Sequence, residues 1–550
     1  MDTFKPIDSQ PPFDVSRWIL ENPEVNEEAV PMDVTFVGAG PAGLAGAIEL
    51  ARLVKKDKEE GGTLGEIEIG VLEKAESLGG HCLSGAVINP RSLLELFPDL
   101  EISDLPLKEK VKEDATYFLT ESNRIPMPTP PTMNNHGNYV ASICEVVRWM
   151  GEKAEELGVN IFTSFPGDAL LVQNGVVSGV RTVAAGLNRD GSPGSQHMPA
   201  TDITSKLTVL TEGTRGPLTQ ALLKWQNISS KNEQIYALGV KELWKVKKGI
   251  SAVTHTLGWP LDFNTFGGSF MYPMGSDLVS LGLVVGLDYK KHNVDVHKKL
   301  QQLKQHPYFA QILKDGECLE WGAKTIPEGG FHSIPERLHV DGALIAGDAA
   351  GFVNVPSIKG IHYAIKSGIE AARTAFLALK ENNFNSELLK DYDRRISVSY
   401  IHSDLYEVRN MRQAFKQGFF IGGAKSALMI ATKGCFPDDR NQYEEDAKEA
   451  REFVGFAENE EKIGFSKVDA AYLSGNKTRD DIPQHLTVNK DISAEMADFY
   501  ACMCPAGVYE RQGDTLVVNA PNCIDCKATD VLGPRWEPRE GGSGPNYRNM

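Results

Sequence analysis

At 550 residues, 41% hydrophobic and 24% charged, the chain has the composition of an ordinary folded protein but exceeds a single core, so two or three domains are expected. A net charge of −17 with no basic face argues against a nucleic-acid partner. No apolar run reaches the roughly 18 residues a spanning helix needs, and the opening residues (MDTFKPIDSQ) have neither an apolar signal core nor an Arg-rich amphipathic stretch.

Residues 1–31 are Pro-rich and polar, and read as an arm lying on the surface. The apolar run Val34-Thr35-Phe36-Val37 then enters Gly38-Ala39-Gly40-Pro41-Ala42-Gly43, and good helix formers follow from Leu44 to Leu53. Strand, Gly-rich turn and helix make the dinucleotide fingerprint. Gly38 allows the tight turn, Gly40 lets the backbone approach a pyrophosphate, and Gly43 lets the helix lie close to the strand. The helix N-terminus then offers unpaired N–H groups and a favourable dipole to the phosphates. A second strand, residues 66–72, ends in Glu73, placed to accept the ribose hydroxyls of an adenosine. The charged and Gly-rich residues 55–65 read as an insertion that lengthens the connection.

Leu78 to Ala86 (LGGHCLSGA) is a Gly-rich passage suited to run beside a cofactor, with His81 and Cys82 as turn residues packed under it. Leu93-Leu94-Glu95-Leu96-Phe97-Pro98 is either a core helix or a surface that enters an apolar phase. Residues 120–140, rich in Pro and Asn, read as an extended crossing segment. A helix is predicted over 143–157 with Gly158 ending it, then a hairpin around Asn174-Gly175. Residues 206–211 form a further strand beside the nucleotide, and a helix follows from about Leu218. Residues 235–330 alternate strand-like runs with Gly and Pro turns, a mostly antiparallel second domain. Within it, Phe266-Gly267-Gly268-Ser269-Phe270 places two amides between aromatics, a bulge or a site for a flat ligand.

Ala343-Leu344-Ile345-Ala346-Gly347-Asp348 repeats the strand-to-turn logic, with a helix from about Gly360 to Leu379. An Asp at that point suits a ribityl chain, and a strand–turn–helix at each end of the chain favours FAD over NAD. Residues 414–431 (AFKQGFFIGGAKSALMIA) are the most apolar late stretch, too short to span and suited to lie in a membrane interface. An acidic run from Asp438 to Glu461 marks a boundary.

Of eight cysteines, four cluster near the end: Cys502-Met503-Cys504-Pro505 and Cys523-Ile524-Asp525-Cys526. Two tight pairs suit an iron–sulfur cluster or structural zinc, with a disulfide the weaker alternative. The FAD pattern on the same chain favours iron–sulfur, because a redox centre extends an electron path and zinc does not. No side-chain acid or base stands out, so no catalytic dyad is expected.

The motifs VGAGPAGL (37–44), HCLSGA (81–86), MNNHGNY (133–139), KELW (241–244), GWPLD (258–262), FGGSF (266–270), GLVVGLDY (282–289), EGGFHSIP (328–335), GFVNVPSIKG (351–360), CPAGVYE (504–510) and NCIDCK (522–527) run through nearly the whole chain. Together they resemble the electron transfer flavoprotein–ubiquinone oxidoreductase family. The resemblance implies FAD, a [4Fe–4S] cluster, quinone at Gly267 and Gly268, and a monotopic membrane surface formed near 93–97 and 415–430. It implies a glutathione-reductase-like α/β FAD-binding fold, α+β overall, with an inserted antiparallel quinone-binding domain and a C-terminal ferredoxin-like iron–sulfur domain. The expected division is 1–31 arm; 32–105, 143–234 and 336–385 FAD-binding domain; 106–142 crossing segment; 235–335 quinone-binding domain; 386–440 helical region with the membrane-surface segment; 441–550 cluster domain.

One position departs from the family's Cys-x-x-Cys-x-x-Cys: its last place holds Thr529, so only Cys504, Cys523 and Cys526 match. Cys502, the unmatched cysteine beside the motif, is the expected fourth ligand; a three-iron cluster or a hydroxyl or water ligand at Thr529 is the alternative. The function expected is electron transfer from electron transfer flavoprotein to a quinone, on the bacterial cytoplasmic membrane or, for a mature eukaryotic chain, the mitochondrial inner membrane. The runner-up is an NAD(P)H-dependent reductase or hydroxylase of a lipid-like substrate on the same FAD fold, disfavoured because no second GxGxxG unit is visible. A non-enzymatic electron relay is the third reading.

Overall fold

The computed structural model describes residues 3–436, 440, 442–455 and 464–550. Residues 34–37 are buried on both faces, which is why they form a continuous apolar run and not an alternating one. They end the strand Val30–Val37, central in a nine-stranded sheet whose main path is Asn160–Thr163, Ile69–Glu73, Val30–Val37, Asp202–Leu210, Val176–Thr182, Gly167–Gln173 and Ile19–Glu21. Ala343–Ile345 joins in parallel beside Asp202–Leu210. The register aligns Val37 with Leu72 and Leu210, and Leu210 with Ile345. Four parallel strands therefore end level, and the turns at Gly38, Glu73, Thr211 and Gly347 leave from one edge. In open α/β sheets that carboxyl edge is where ligands bind.

Two helices run back from this edge and pack on each other: Pro41–Glu59, with Pro at its first turn, and Ile361–Glu381. Their crossing is set by small residues. A Cβ at Gly368 would stand 2.1 Å from the Ala42 carbonyl, and one at Gly46 2.4 Å from the Phe36 ring. The first helix is buried from Ala42 to Ala51 and exposed beyond, so its charged C-terminal part continues as helix in solvent.

The second sheet has seven strands in the order Glu317–Pro327, Tyr236–Lys245, Leu278–Gly286, Gly267–Pro273, Ala252–Gly258, Glu113–Leu119, Arg124–Met127. Every pairing is antiparallel except Ala252–Gly258 with Glu113–Leu119. Its back face shares one hydrophobic core with the C-terminal region, where Trp321, Leu281 and Leu300 pack with Phe499, Tyr500 and Leu532. That region holds the helices Lys467–Leu473, Ala494–Met503 and Ala528–Leu532 and the hairpin Tyr509–Gln512/Thr515–Val518.

Several expectations need correction. The N-terminal segment is no surface arm: Ile19–Glu21 is an edge strand of the main sheet, Thr3–Phe4 pairs with Arg451–Glu452, and Trp18 is buried. The segment expected to cross as extended chain contributes two strands to the second sheet, because Glu113–Leu119 and Arg124–Met127 form a hairpin. Residues 55–59 are helix, so the insertion begins at Glu60. Leu93 and Leu96 are completely buried, which makes that stretch core and removes it from any membrane surface. Of the acidic run 438–461, positions 438, 439, 441 and 456–461 lie outside the described residues.

Candidate functional site

A single cavity of about 1160 Å³ runs from the level strand ends, along the face of the second sheet, to the protein surface. At its inner end Gly38 has a positive φ of 111°, and a Cβ there would lie 2.5 Å from the Thr211 carbonyl oxygen. A Cβ on Gly43 would meet the Gly38 carbonyl at 2.1 Å and Thr211 Oγ1 at 2.8 Å, whereas one on Gly40 meets nothing within 4 Å. Two of the three glycines thus close the turn against the protein, and the third fronts open cavity where a phosphate could approach. Glu73 is aimed and held by backbone donors: Ala39 N–H donates to one carboxylate oxygen at 3.1 Å and Ala75 N–H to the other at 2.8 Å.

Thr211 was not singled out by sequence reasoning, yet its Oγ1 donates to the Val37 and Gly38 carbonyls at 3.0 and 2.9 Å and fastens the turn. The only sequence signal was its place after a strand. At the second turn, Gly347 N–H donates to Ser367 Oγ at 2.9 Å. Asp348 faces the cavity, and burial pushes its carboxyl up to about 6 against a lowering influence from Lys324. The glycine cradle and this cavity-facing acceptor fit a dinucleotide such as FAD.

Gly267 and Gly268 lie midway along the same cavity, in the strand Gly267–Pro273. Their missing side chains would project into the sheet: a Cβ at 267 would sit 2.3 Å from the Val284 carbonyl, one at 268 2.6 Å from the Thr256 carbonyl. Glycine here closes the strand pairing and also thins the cavity wall. Beside them Phe266 lies under the Arg412 guanidinium at 3.8 Å and against Phe415 at 5.3 Å. Arg412 in turn contacts Glu328 at 2.8 Å and Asp288 at 3.1 Å. Burial raises the Asp288 carboxyl, but Arg412 and Lys416 outweigh it and hold it well below the usual range. This buried ionic group lines the cavity and was invisible in the sequence.

The outer end is apolar. The helix Phe419–Ala431 buries only Gly422 and Met429, and Phe420 is 72% exposed, Ile421 53% and Phe263 53%. Phe263 contacts both Phe419 and Phe420, with ring centroids 5.9 and 5.3 Å apart. No helix among the described residues is long and apolar enough to cross a membrane.

On the other side of the inner end lies the cysteine group. Burial, and after it Asp525 and Cys504, push the Cys523 thiol up to about 12 against Arg539, and Cys526 is pushed further by burial, Cys504 and Cys523. Buried Tyr509 belongs to the same hydrophobic cluster as Cys504, Cys523 and Cys526. Cys502, also buried, is not a member of that cluster; Lys467 Nζ, which pairs with Asp295 at 2.7 Å, donates to its carbonyl at 3.3 Å. The reason is helical. Cys502 is in the last turn of Ala494–Met503 and Cys504 caps it, and two residues rotate a side chain by about 200°. Cys502 is thereby set apart from the three thiols that the motif matches. Three thiols fit three corners of an iron–sulfur cluster; Thr529, three residues after Cys526, is buried, and its Oγ1 donates to Tyr509 Oη at 3.2 Å.

Asp525, between two of these cysteines, accepts from Lys74 Nζ at 2.7 Å, Trp536 Nε1 at 3.0 Å and Arg539 at 3.1 Å. His485, Cys523 and Asp525 also bring donor atoms within 4.8 Å of one another, but Asp525 is already committed to these cations.

Residues 236–326, the strands bearing Gly267 and Gly268, match a family model described as ETF-QO, ubiquinone-binding. Residues 461–548 match one described as electron transfer flavoprotein-ubiquinone oxidoreductase, 4Fe-4S. Among solved structures, a geranylgeranyl bacteriochlorophyll reductase-like protein from Thermoplasma acidophilum superposes with a TM-score of 0.57 at 17% identity, over 74% of this chain and 92% of that one, and supports the fold. The rice mitochondrial electron transfer flavoprotein-ubiquinone oxidoreductase is 37% identical over 97% of this chain and 95% of its own length. The human mitochondrial protein of the same name is 36% identical over 97% and 91%. With both domain models in place and the likeness running end to end, the chain belongs to the electron transfer flavoprotein–ubiquinone oxidoreductase family.

Proposed function

We propose that this chain takes electrons from reduced electron transfer flavoprotein and delivers them to ubiquinone at a membrane surface. The observation that carries the reading is the continuity of one cavity from Gly38 and Asp348, past Gly268, to the exposed Phe263 and Phe420. When bound, FAD supplies both one-electron and two-electron chemistry, so single electrons can be collected and a pair released. The N-terminus of Pro41–Glu59 and the Gly38–Gly43 turn receive the pyrophosphate, Glu73 accepts the ribose hydroxyls, and Asp348 with Gly347 receives the ribityl side. Main-chain groups at Gly267 and Gly268 hydrogen-bond the quinone ring, and Leu257, Leu261 and Phe266 exclude water around it. Cys504, Cys523 and Cys526 hold the iron–sulfur centre.

The exposed helix Phe419–Ala431 lies in the membrane interface, so a quinone diffusing in the bilayer enters the cavity without crossing water. The surface is that of the bacterial cytoplasmic membrane or, in a mature eukaryotic chain, the mitochondrial inner membrane; relatives named as mitochondrial support the organelle of the second reading. Reoxidation of the reduced holoprotein by a short-chain ubiquinone, with reduced electron transfer flavoprotein as donor, tests the reading. Turnover driven by NADPH with no response to quinone sinks it.

A further inference from the structure

We propose that the iron–sulfur centre of this chain is chemically asymmetric: Cys504, Cys523 and Cys526 thiolates hold three irons, and the fourth iron faces the hydroxyl of Thr529. The proposal rests on the reading above that these cysteines carry a cluster, and adds which protein atom stands at the remaining corner.

Thr529 is the second residue of the short helix Ala528–Leu532, three positions after Cys526, and is buried. Its Oγ1 donates to Tyr509 Oη, and Tyr509 shares one buried cluster with Cys504, Cys523 and Cys526. Two hydroxyls therefore stand in the buried surroundings of the three thiols. Apart from His485, whose buried Nδ1 has no hydrogen-bond partner, the rival donors are engaged or elsewhere. Cys502 stands outside the buried cluster of the three thiols, with Lys467 Nζ bonded to its carbonyl. Asp525 is held by Lys74, Trp536 and Arg539, and Asp530 by Arg215 and Gln220. His485 lies on the Asp525 side of Cys523, where its Nε2 is 3.3 Å from an Arg539 nitrogen.

A neutral hydroxyl binds iron far more weakly than a thiolate does. One iron should then be exchangeable while the other three stay fixed. The step is balanced as follows: a [4Fe–4S]²⁺ core gives one electron to an added oxidant such as ferricyanide, and separates into [3Fe–4S]⁺ and a free ferrous ion. Sulfide is retained, and the thiolates keep their bonds.

The test uses full-length holoprotein purified without oxygen, with iron and sulfide counted and the EPR spectrum recorded before and after one equivalent of ferricyanide with a chelator. Iron is expected to fall from about four to about three per chain at constant sulfide, with a three-iron EPR signal appearing, and ferrous iron plus a thiol reductant to reverse both. Thr529→Cys should hold about four irons through the same treatment, and Cys502→Ser should behave as the wild type. Flavin absorbance and melting temperature serve as folding controls for each variant. A wild type that keeps all its iron under oxidation overturns the proposal. So does selective loss of one iron in untreated Cys502→Ser or His485→Ala, which would identify that residue as the ligand. Zinc, or no sulfide in any preparation, would sink the cluster reading itself.

Discussion

Lys74 Nζ stands 2.7 Å from Asp525 Oδ2, tying the residue after the adenosine-side Glu73 to the loop between Cys523 and Cys526. The carboxylate is 2% exposed, and burial, which would raise its pKa, is overcome by Arg539 and Lys74, which hold it well below the usual range. Removing one partner of a buried pair leaves an uncompensated charge. Asp525→Ala should therefore cost roughly 3–5 kcal/mol, read as a large fall in the denaturant midpoint. Lys74→Ala should cost less, because Lys74 is 27% exposed and water can replace it. Equal losses would mean the pair does not act as a buried one.

Gly43→Val should abolish flavin retention, since even its Cβ would lie 2.1 Å from the Gly38 carbonyl. The purified variant's absorbance spectrum checks this; a full flavin complement would show that the turn can move aside.

Gly268→Val would press on the Thr256 carbonyl at 2.6 Å and narrow the cavity wall. Quinone reduction should fall at least tenfold, about 1.4 kcal/mol in the barrier, while an artificial donor still reduces the flavin. Parallel loss in both assays would assign the glycine to sheet closure alone.

Ser at both Phe420 and Ile421 should release the protein from anionic vesicles without lowering its melting temperature, because both side chains already face solvent. Each Phe or Ile that enters lipid contributes roughly 1.5–3 kcal/mol, so losing both should weaken partitioning by at least tenfold. Phe419 is the wrong target, as its ring packs on Phe118 and Phe415. Undiminished sedimentation with vesicles would place the contact elsewhere.

Asp446 supplies a pH dependence. Burial, helped by Asp288, pushes its carboxyl up to about 8, while Tyr236 N–H donates to Oδ2 at 2.7 Å. A folded state that keeps a proton which the unfolded chain gives up near pH 4 loses stability as pH rises from about 4 through 8. Asp446→Asn should match the wild type near pH 4 and melt higher than it at pH 9. Superimposable melting profiles across that range would mean the carboxyl titrates normally.

The fingerprint at 38–43, the Gly347-Asp348 turn and the hairpin at Asn174-Gly175 were legible because each is a local geometry written in adjacent residues. The Arg412–Asp288 and Arg412–Glu328 contacts were not, since their partners lie 124 and 84 positions apart and each residue alone reads as a solvated charge. Strands of two or three residues such as Ile19–Glu21 carry too few alternations to be seen. Leu93 and Phe420 look equally apolar in sequence, and only tertiary contact separates the buried one from the exposed one. At Cys502, proximity in sequence says little, because a helix turns neighbours two apart onto opposite faces and only Cys504 of the pair shares the cluster of Cys523 and Cys526.

The seven-stranded sheet and the cysteine-bearing region have a common interior, with Trp321 and Leu281 of one in the same core as Phe499 and Leu532 of the other. Modularity is thereby lost. Excising residues 464–550 would strip the back of the sheet that walls the cavity, and grafting them onto another flavoprotein would leave their apolar face in water. The two redox halves must be inherited, expressed and unfolded as one.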